Sequence, residues 1–109
     1  MTFDEYQQKS RKTAAYPDQG SNFVYPTLGL AGEAGEVSNK ISKIFRDDNS
    51  QLTDSRREEV DRELGDVLWY LAQLATELRL SLDHIASQNI ERLYSRLERG
   101  TIHESGDNR

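Results

Sequence analysis

The chain has 109 residues, no cysteine, and a formal net charge of −5 from 19 acidic and 14 basic residues. This length fits a single domain over residues 1–109, and the lack of cysteine excludes disulfides, thiolate metal sites and a cysteine nucleophile, as is typical of the reducing cytoplasm. The negative charge disfavours nucleic acid as a partner, and no apolar run approaches the roughly 20 residues that a membrane span needs.

The first half of the chain predicts two helices separated by a loop. We expect a short helix from Thr2 to Ala15 and then a loop between Pro17 and Pro26, because the ten residues PDQGSNFVYP combine proline, glycine and other turn formers. A second helix is predicted from Thr27 to Arg46, because apolar residues recur there at spacings of three and four. They are Leu30, Val37, Ile41, Ile44 and Phe45.

The third predicted helix is the most apolar. Ser55 and Glu58 have the spacing of a capping box, in which the hydroxyl and the carboxylate each accept a free backbone N–H, so the helix is expected to start there. It should continue to about Arg79. Its centre, VLWYLAQLA, is apolar on nearly every side. This pattern indicates that other helices or a second subunit cover it.

The last predicted helix starts at Ser81 or Asp83 and ends at Gly100, a typical helix-stop residue. Residues 101–109 read as a polar tail. No stretch shows the alternation of a strand. Four helices with short connections predict an all-α domain with a small four-helix bundle-like fold.

Two acidic pairs with the same spacing lie in the middle helices. The first is Glu33-x-x-Glu36 in EAGEV, and the second, thirty residues later, is Glu63-x-x-Asp66 in ELGDV. On a wheel of about 100° per residue, the first acid of each pair borders the apolar stripe of its helix, and the second is turned away from it. If the two helices pack stripe to stripe in a hairpin, all four carboxylates are expected to meet at one margin.

Converging carboxylates favour a metal site. Two of them about 5 Å apart repel by roughly 3 kcal/mol at an effective dielectric near 20, and a divalent cation removes this cost. Oxygen-only ligands favour Mg²⁺, with Mn²⁺ as a possible substitute. Gly35 and Gly65, which lack side chains, are expected to let the helices or a ligand approach closely.

The same acids also fit other interpretations. Each pair alone is typical of a solvated helix face in an acidic chain. A di-iron bundle would use Glu-x-x-His, but neither His84 nor His103 has an acid three residues before it. Phosphate-binding loops and serine-nucleophile motifs are also missing from the sequence.

The order and spacing of the acids resemble the MazG family of all-α nucleoside triphosphate pyrophosphohydrolases, which are relatives of the dimeric all-α dUTPases. The similarity covers GLAGEAGEV, RELGDVLWYLAQLA, the pattern Asn89-x-x-x-Leu93-x-x-Arg96 and the closing RGTIHESGDNR. It resembles the short, single-domain members. The resemblance implies hydrolysis of a nucleoside triphosphate, standard or damaged, to the monophosphate and pyrophosphate. Together with the apolar third helix, it also implies a homo-oligomer, either dimer or tetramer.

Roles for individual residues follow from this reading. The metal-binding and catalytic residues are expected to be Glu33, Glu36, Glu63 and Asp66. Glu36 is the preferred general base, because the wheel turns it toward an open edge. Lys40 and Lys43 are placed to meet the triphosphate, although Lys40 at spacing four from Glu36 also fits an ordinary ion pair.

Contacts with the rest of the substrate are predicted farther along the chain. Tyr70 can stack on a base, and Asn89 can form hydrogen bonds with a base or sugar. By the resemblance, Arg96, Arg99 and Arg109 are further candidates for phosphate contact.

A different class of function also remains open. In this alternative, the chain is a non-catalytic helical adaptor whose apolar third helix docks a partner. Its acids would then serve only to keep the surface polar.

Overall fold

The computed structural model describes residues 1–100, and this range is all-helical. Its four helices are α1 (Phe3–Arg11), α2 (Val24–Asp47), α3 (Asp54–Glu77) and α4 (Leu82–Glu98). The predicted all-α fold with four helices is confirmed for these residues. None of the helices in this range has the length and apolar character needed to cross a membrane. The predicted polar tail, with His103 and Arg109, lies outside the described residues.

Polar side chains define the starts of α1 and α4. The Thr2 hydroxyl accepts a hydrogen bond from the Glu5 N–H at 3.0 Å, and the Glu5 carboxylate accepts one from the Thr2 N–H at 2.9 Å, which completes a capping box. The Ser81 hydroxyl accepts from the His84 N–H at 3.2 Å, as the sequence predicts. α4 ends just before Gly100, whose φ of 68° is the left-handed conformation that often closes helices.

The start of α3 differs from the prediction. Thr53 is the capping residue, and its hydroxyl accepts from the Arg56 N–H at 3.2 Å. Ser55 lies inside the helix, so the capping box predicted for Ser55 and Glu58 is wrong. Thr53 takes the role because its extended backbone, with φ −82° and ψ 162°, directs its hydroxyl toward the unpaired N–H groups of the first turn.

The connection between α1 and α2 also shifts both helix ends. α1 ends at Arg11 instead of Ala15, and α2 begins at Val24 instead of Thr27. Pro26 is therefore in the first turn of α2. Proline fits there because the first N–H groups of a helix have no intrahelical acceptor.

α2 and α3 form a long helical hairpin, and α1 packs against both α3 and α4. The buried core lies where α1, α3 and α4 meet, around Ala72, Ala75 and Leu82. Most of the hairpin lies outside this core. Large apolar side chains remain exposed along it at Leu28, Phe45, Leu52 and Leu64.

Candidate active site

Three carboxylates from two helices meet in the hairpin. Glu33 of α2, with Glu63 and Asp66 of α3, each offers an oxygen, and these oxygens lie within 4.8 Å of one another. They meet because the hairpin packs the two helices side by side, and because a spacing of three keeps Glu63 and Asp66 on one face of α3. Three carboxylates form the hard, oxygen-only donor set that Mg²⁺ or Mn²⁺ takes in proteins.

The accumulated negative charge acts on Glu33. Its pKa is raised, first by a hydrogen bond that its protonated form shares with Glu63, then by burial, and then by the charges of Asp66, Glu63 and Glu36. The neighbours of Glu33 therefore oppose its ionisation. A divalent cation among the three carboxylates would reverse this effect, since positive charge favours the ionised form.

Glu36 stands apart from the other three acids. Its side chain is exposed and is not one of the three whose oxygens converge, although its charge contributes to the raised pKa of Glu33. The structure thus brings together three of the four predicted carboxylates. The fourth, Glu36, acts electrostatically on Glu33 while remaining open to water.

Tyr70 lies against the backbone of α2, one helical turn from the carboxylates. A Cβ atom on Gly29 would lie only 2.1 Å from Cε1 of the Tyr70 ring, so this contact requires glycine. Tyr70 follows Asp66 by one turn on α3, and Gly29 precedes Glu33 by one turn on α2. Burial, then the hydroxyl of Tyr25, and then the charges of Glu33 and Asp66 raise the pKa of Tyr70.

Gly35 and Gly65, the two glycines predicted from the sequence to allow close approach, do not bring the helices together. A Cβ atom on Gly35 or on Gly65 would meet no atom of another element within 4 Å. Each lies two residues after the first acid of its pair, about 200° around the helix, and so faces away from the shared margin. For helix approach, the prediction is therefore wrong, and Gly29 has that role.

Lys40 forms an ion pair, but its partner is on the other helix. Its ammonium lies 3.4 Å from the carboxylate of Glu59, which replaces the Glu36 pairing considered from the sequence. Arg56 joins the same network, 3.5 Å from Glu59 and 2.7 Å from Asp48. The pair leaves Lys40 on the C-terminal side of Glu33 along α2, half-buried beside the hairpin interface.

The predicted substrate contacts on α4 lie in different surroundings from one another. Asn89 lines a cavity of about 210 Å³ between α1, α3 and α4, together with Phe3 and Arg92. None of the converging acids lines that cavity. Arg96 is buried, with 8% of its surface exposed, and Arg99 donates to the Ser95 hydroxyl one turn earlier. Their contact with substrate stays a prediction.

Glu77, at the end of α3, is a structural residue that the sequence did not reveal. Its side chain has no exposed surface, and it accepts hydrogen bonds from Arg11, from Tyr16, and from the N–H groups of Gly20 and Asn22. Burial alone would raise its pKa, but these donors outweigh burial and lower the pKa to about 2. The only sequence signal was a single acid in an apolar stretch.

The structure is thus an all-α domain with a carboxylate site on a helical hairpin. The chain belongs to the MazG nucleotide pyrophosphohydrolase domain family, whose sequence model matches residues 26–100. It is also similar to the Gene 37 protein of Mycobacterium phage L5, with 45% identity over an alignment of 114 positions that covers 100% of both chains. No solved structure matches the chain significantly.

Proposed function

We propose that the protein is a Mg²⁺-dependent nucleoside triphosphate pyrophosphohydrolase that releases pyrophosphate and a nucleoside monophosphate. The observation that carries this proposal is the convergence of Glu33, Glu63 and Asp66 from two helices in a chain of this family. The donor set fits Mg²⁺, and Mn²⁺ could replace it. Ribo-, deoxy- and damaged triphosphates all remain candidate substrates.

The three carboxylates hold the cation in this proposal. When bound, the cation neutralises triphosphate oxygens and makes the α-phosphorus more open to attack. A water oxygen then forms a bond to the α-phosphorus. At the same time, the bond between the α-phosphorus and the oxygen that bridges it to the β-phosphorus breaks. Pyrophosphate leaves with that oxygen.

Other side chains serve the proton and the phosphates. Glu36 accepts the proton of the attacking water, because it is exposed and outside the group of three acids and so remains free to act as a base. Lys40 and Lys43 bind the outer phosphates. To do so, Lys40 leaves its ion pair with Glu59 and pairs with a phosphate oxygen instead. Arg96, Arg109 and Asn89 stay predicted substrate contacts, because Arg96 is buried and Asn89 lines a cavity that none of the three acids lines.

The test is a pyrophosphate-release screen over ribo-, deoxy- and oxidised nucleoside triphosphates, with and without Mg²⁺. We expect release only with metal. Glu63→Gln and Asp66→Asn should each reduce the rate to background while the helical circular dichroism spectrum is unchanged. Glu91→Gln, which changes an exposed acid on α4 that lines no described cavity, is the control and should retain activity. Full activity in both site variants would remove this assignment.

A metal titration separates this proposal from a non-catalytic adaptor. A cation that binds only the folded protein raises the melting temperature. We expect Mg²⁺ or Mn²⁺ to raise it in the unmodified protein and not in Glu63→Gln. A melting temperature unmoved by either metal, even with nucleotide present, would favour the adaptor.

We further propose that the protein is a homo-oligomer, either dimer or tetramer. The support is the exposed apolar surface along the hairpin, which no other part of residues 1–100 covers. A second copy is a suitable cover for such a surface.

A further inference from the structure

Three tyrosines form a row that ends beside the carboxylate site. Tyr16 stacks flat on Tyr25, with ring centroids 4.6 Å apart and planes 8° apart. Tyr25 then meets Tyr70 at a tilt of 44°, with centroids 6.2 Å apart. Tyr16 and Tyr25 precede residue 26, where the match to the family begins. Their arrangement is therefore outside what the family match covers.

The first tyrosine of the row is held in place. Tyr16 is buried, and its hydroxyl donates to the carboxylate of Glu77 and accepts from Arg11 at 2.6 Å. Tyr25 therefore has a fixed ring behind it, while 41% of its own surface remains exposed. An aromatic surface that is already immobilised loses little conformational entropy when a planar ligand stacks on it.

The row also has a defined position relative to the charges. Along α2, Tyr25 lies on the N-terminal side of Glu33, and Lys40 lies on the C-terminal side. Tyr70, next to Tyr25, is one turn beyond Asp66 on α3. Aromatic rings and cations thus flank the carboxylates on opposite sides. This is also the order in which base, α-phosphate and outer phosphates follow one another in a nucleoside triphosphate.

Resting on the activity proposed above, the geometry points to Tyr25 as the residue on which the nucleobase stacks, with Tyr70 at its side and the outer phosphates toward Lys40. Every nucleobase has a face that can stack on an aromatic ring, so this contact favours no particular base. The nearby Asn22 holds the loop in place beside Tyr25. Its amide nitrogen donates to the Pro17 carbonyl at 2.8 Å, and its amide oxygen accepts from the Tyr25 N–H at 3.1 Å.

The experiment compares a ligand with a base and a ligand without one. Equilibrium binding of a nucleoside triphosphate with an uncleavable α,β-methylene bridge, and of inorganic tripolyphosphate, is measured with Mg²⁺ for each variant. Tyr25→Leu should weaken nucleotide binding about tenfold, the loss expected from one stacking contact. It should leave tripolyphosphate binding within about twofold. Tyr25→Phe, which keeps the ring, should restore nucleotide binding.

Tyr94→Leu is the matched control, since Tyr94 is an exposed tyrosine on α4 and should not affect either ligand. Equal weakening of both ligands in Tyr25→Leu would mean a structural role, and unchanged nucleotide binding would mean no contact. Either result overturns the assignment. Binding is measured without turnover, so it tests the base contact separately from the activity. If the protein releases no pyrophosphate, the proposed activity is refuted. A loss of nucleotide affinity in Tyr25→Leu would still support the base contact. Failure of the unmodified protein to bind the nucleotide would refute both.

Discussion

Glu77 shows how one buried carboxylate can organise a loop. It accepts bonds from two side chains and two backbone N–H groups, all of which lie 55 to 66 residues earlier in the chain. These bonds fix the segment between α1 and α2 against the end of α3. Because the segment carries Tyr16, Glu77 also determines where the row of tyrosines begins.

Replacing this carboxylate should change the stability of the protein in a pH-dependent way. Glu77→Gln should lower the free energy of unfolding by about 2 kcal/mol at pH 7. The hydrogen bonds to a charged acceptor are lost, and the new amide N–H group faces the donors of Arg11, Tyr16 and the loop backbone. The pKa of Glu77 is about 2 in the folded protein, below the value near 4.3 of an unfolded glutamate. Its contribution is therefore full above about pH 5 and is lost as the pH falls toward 2.

Urea unfolding of both proteins between pH 7 and pH 2.5 checks this. The gap between the two stability curves should narrow as the pH falls. Glu91→Gln, which changes an exposed acid on α4, is the control and should follow the unmodified protein. A constant gap across the whole range would show that ionisation of Glu77 is not what stabilises the loop.

Two glycines on α2 should respond in opposite ways to the same substitution. Gly29→Ala places a Cβ atom 2.1 Å from the Tyr70 ring, so the ring or the helix must move, at a cost of about 1 to 3 kcal/mol. Gly35→Ala meets no other element within 4 Å and should stabilise the helix by up to about 1 kcal/mol. Thermal unfolding of the two variants gives the comparison. A stabilised Gly29→Ala protein would contradict the packing of Tyr70 described above.

The boundary of α3 offers a test at the level of a whole element. Thr53→Ala removes the hydroxyl that accepts from Arg56 and should cost about 1 kcal/mol, the usual value for a lost cap. Ser55→Ala, inside the helix, should be neutral or slightly stabilising. Urea unfolding of the pair distinguishes them. If Ser55→Ala were the more costly change, the helix would start where the sequence pattern placed it.

The helices themselves could be predicted because local spacing determines them. The apolar run of α3 and the matching position of the two acidic pairs on their helices were enough to place Glu33, Glu63 and Asp66 at one margin. Thr53 and Ser55 both precede that run, and only the backbone conformation shows which of them caps the helix. Pro26 reads as a loop residue, although the first turn of a helix also accepts proline.

Three other contacts between distant parts of the chain could not be predicted from the sequence. Nothing near Glu77 indicates that its donors come from α1 and the following loop. Likewise, the need for glycine at position 29 depends on the Tyr70 ring from the opposite helix. Lys40 had a plausible local partner in Glu36, but hairpin packing brings Glu59 to it instead.

For the molecule as a whole, the distribution of apolar surface is uneven. The buried core lies among α1, α3 and α4, whereas the connected end of the hairpin carries a groove of about 470 Å³. Ile41, Leu52, Val60 and Leu64 supply its apolar lining. An apolar groove of this size is a suitable contact for the second copy proposed above.

A single charged side chain in this groove should separate the copies. Leu52 is 51% exposed, and Leu52→Asp introduces a charge that would have to be buried in each subunit. Because a symmetric dimer uses the same surface twice, losing about 1.5 kcal/mol per subunit weakens association roughly a hundredfold. Sedimentation velocity at micromolar concentration should show an oligomer for the unmodified protein and a monomer for Leu52→Asp. Ser87→Asp, at an exposed polar position on α4, should remain an oligomer. A monomeric unmodified protein would refute oligomerisation, whereas an oligomeric Leu52→Asp protein would place the interface on another surface.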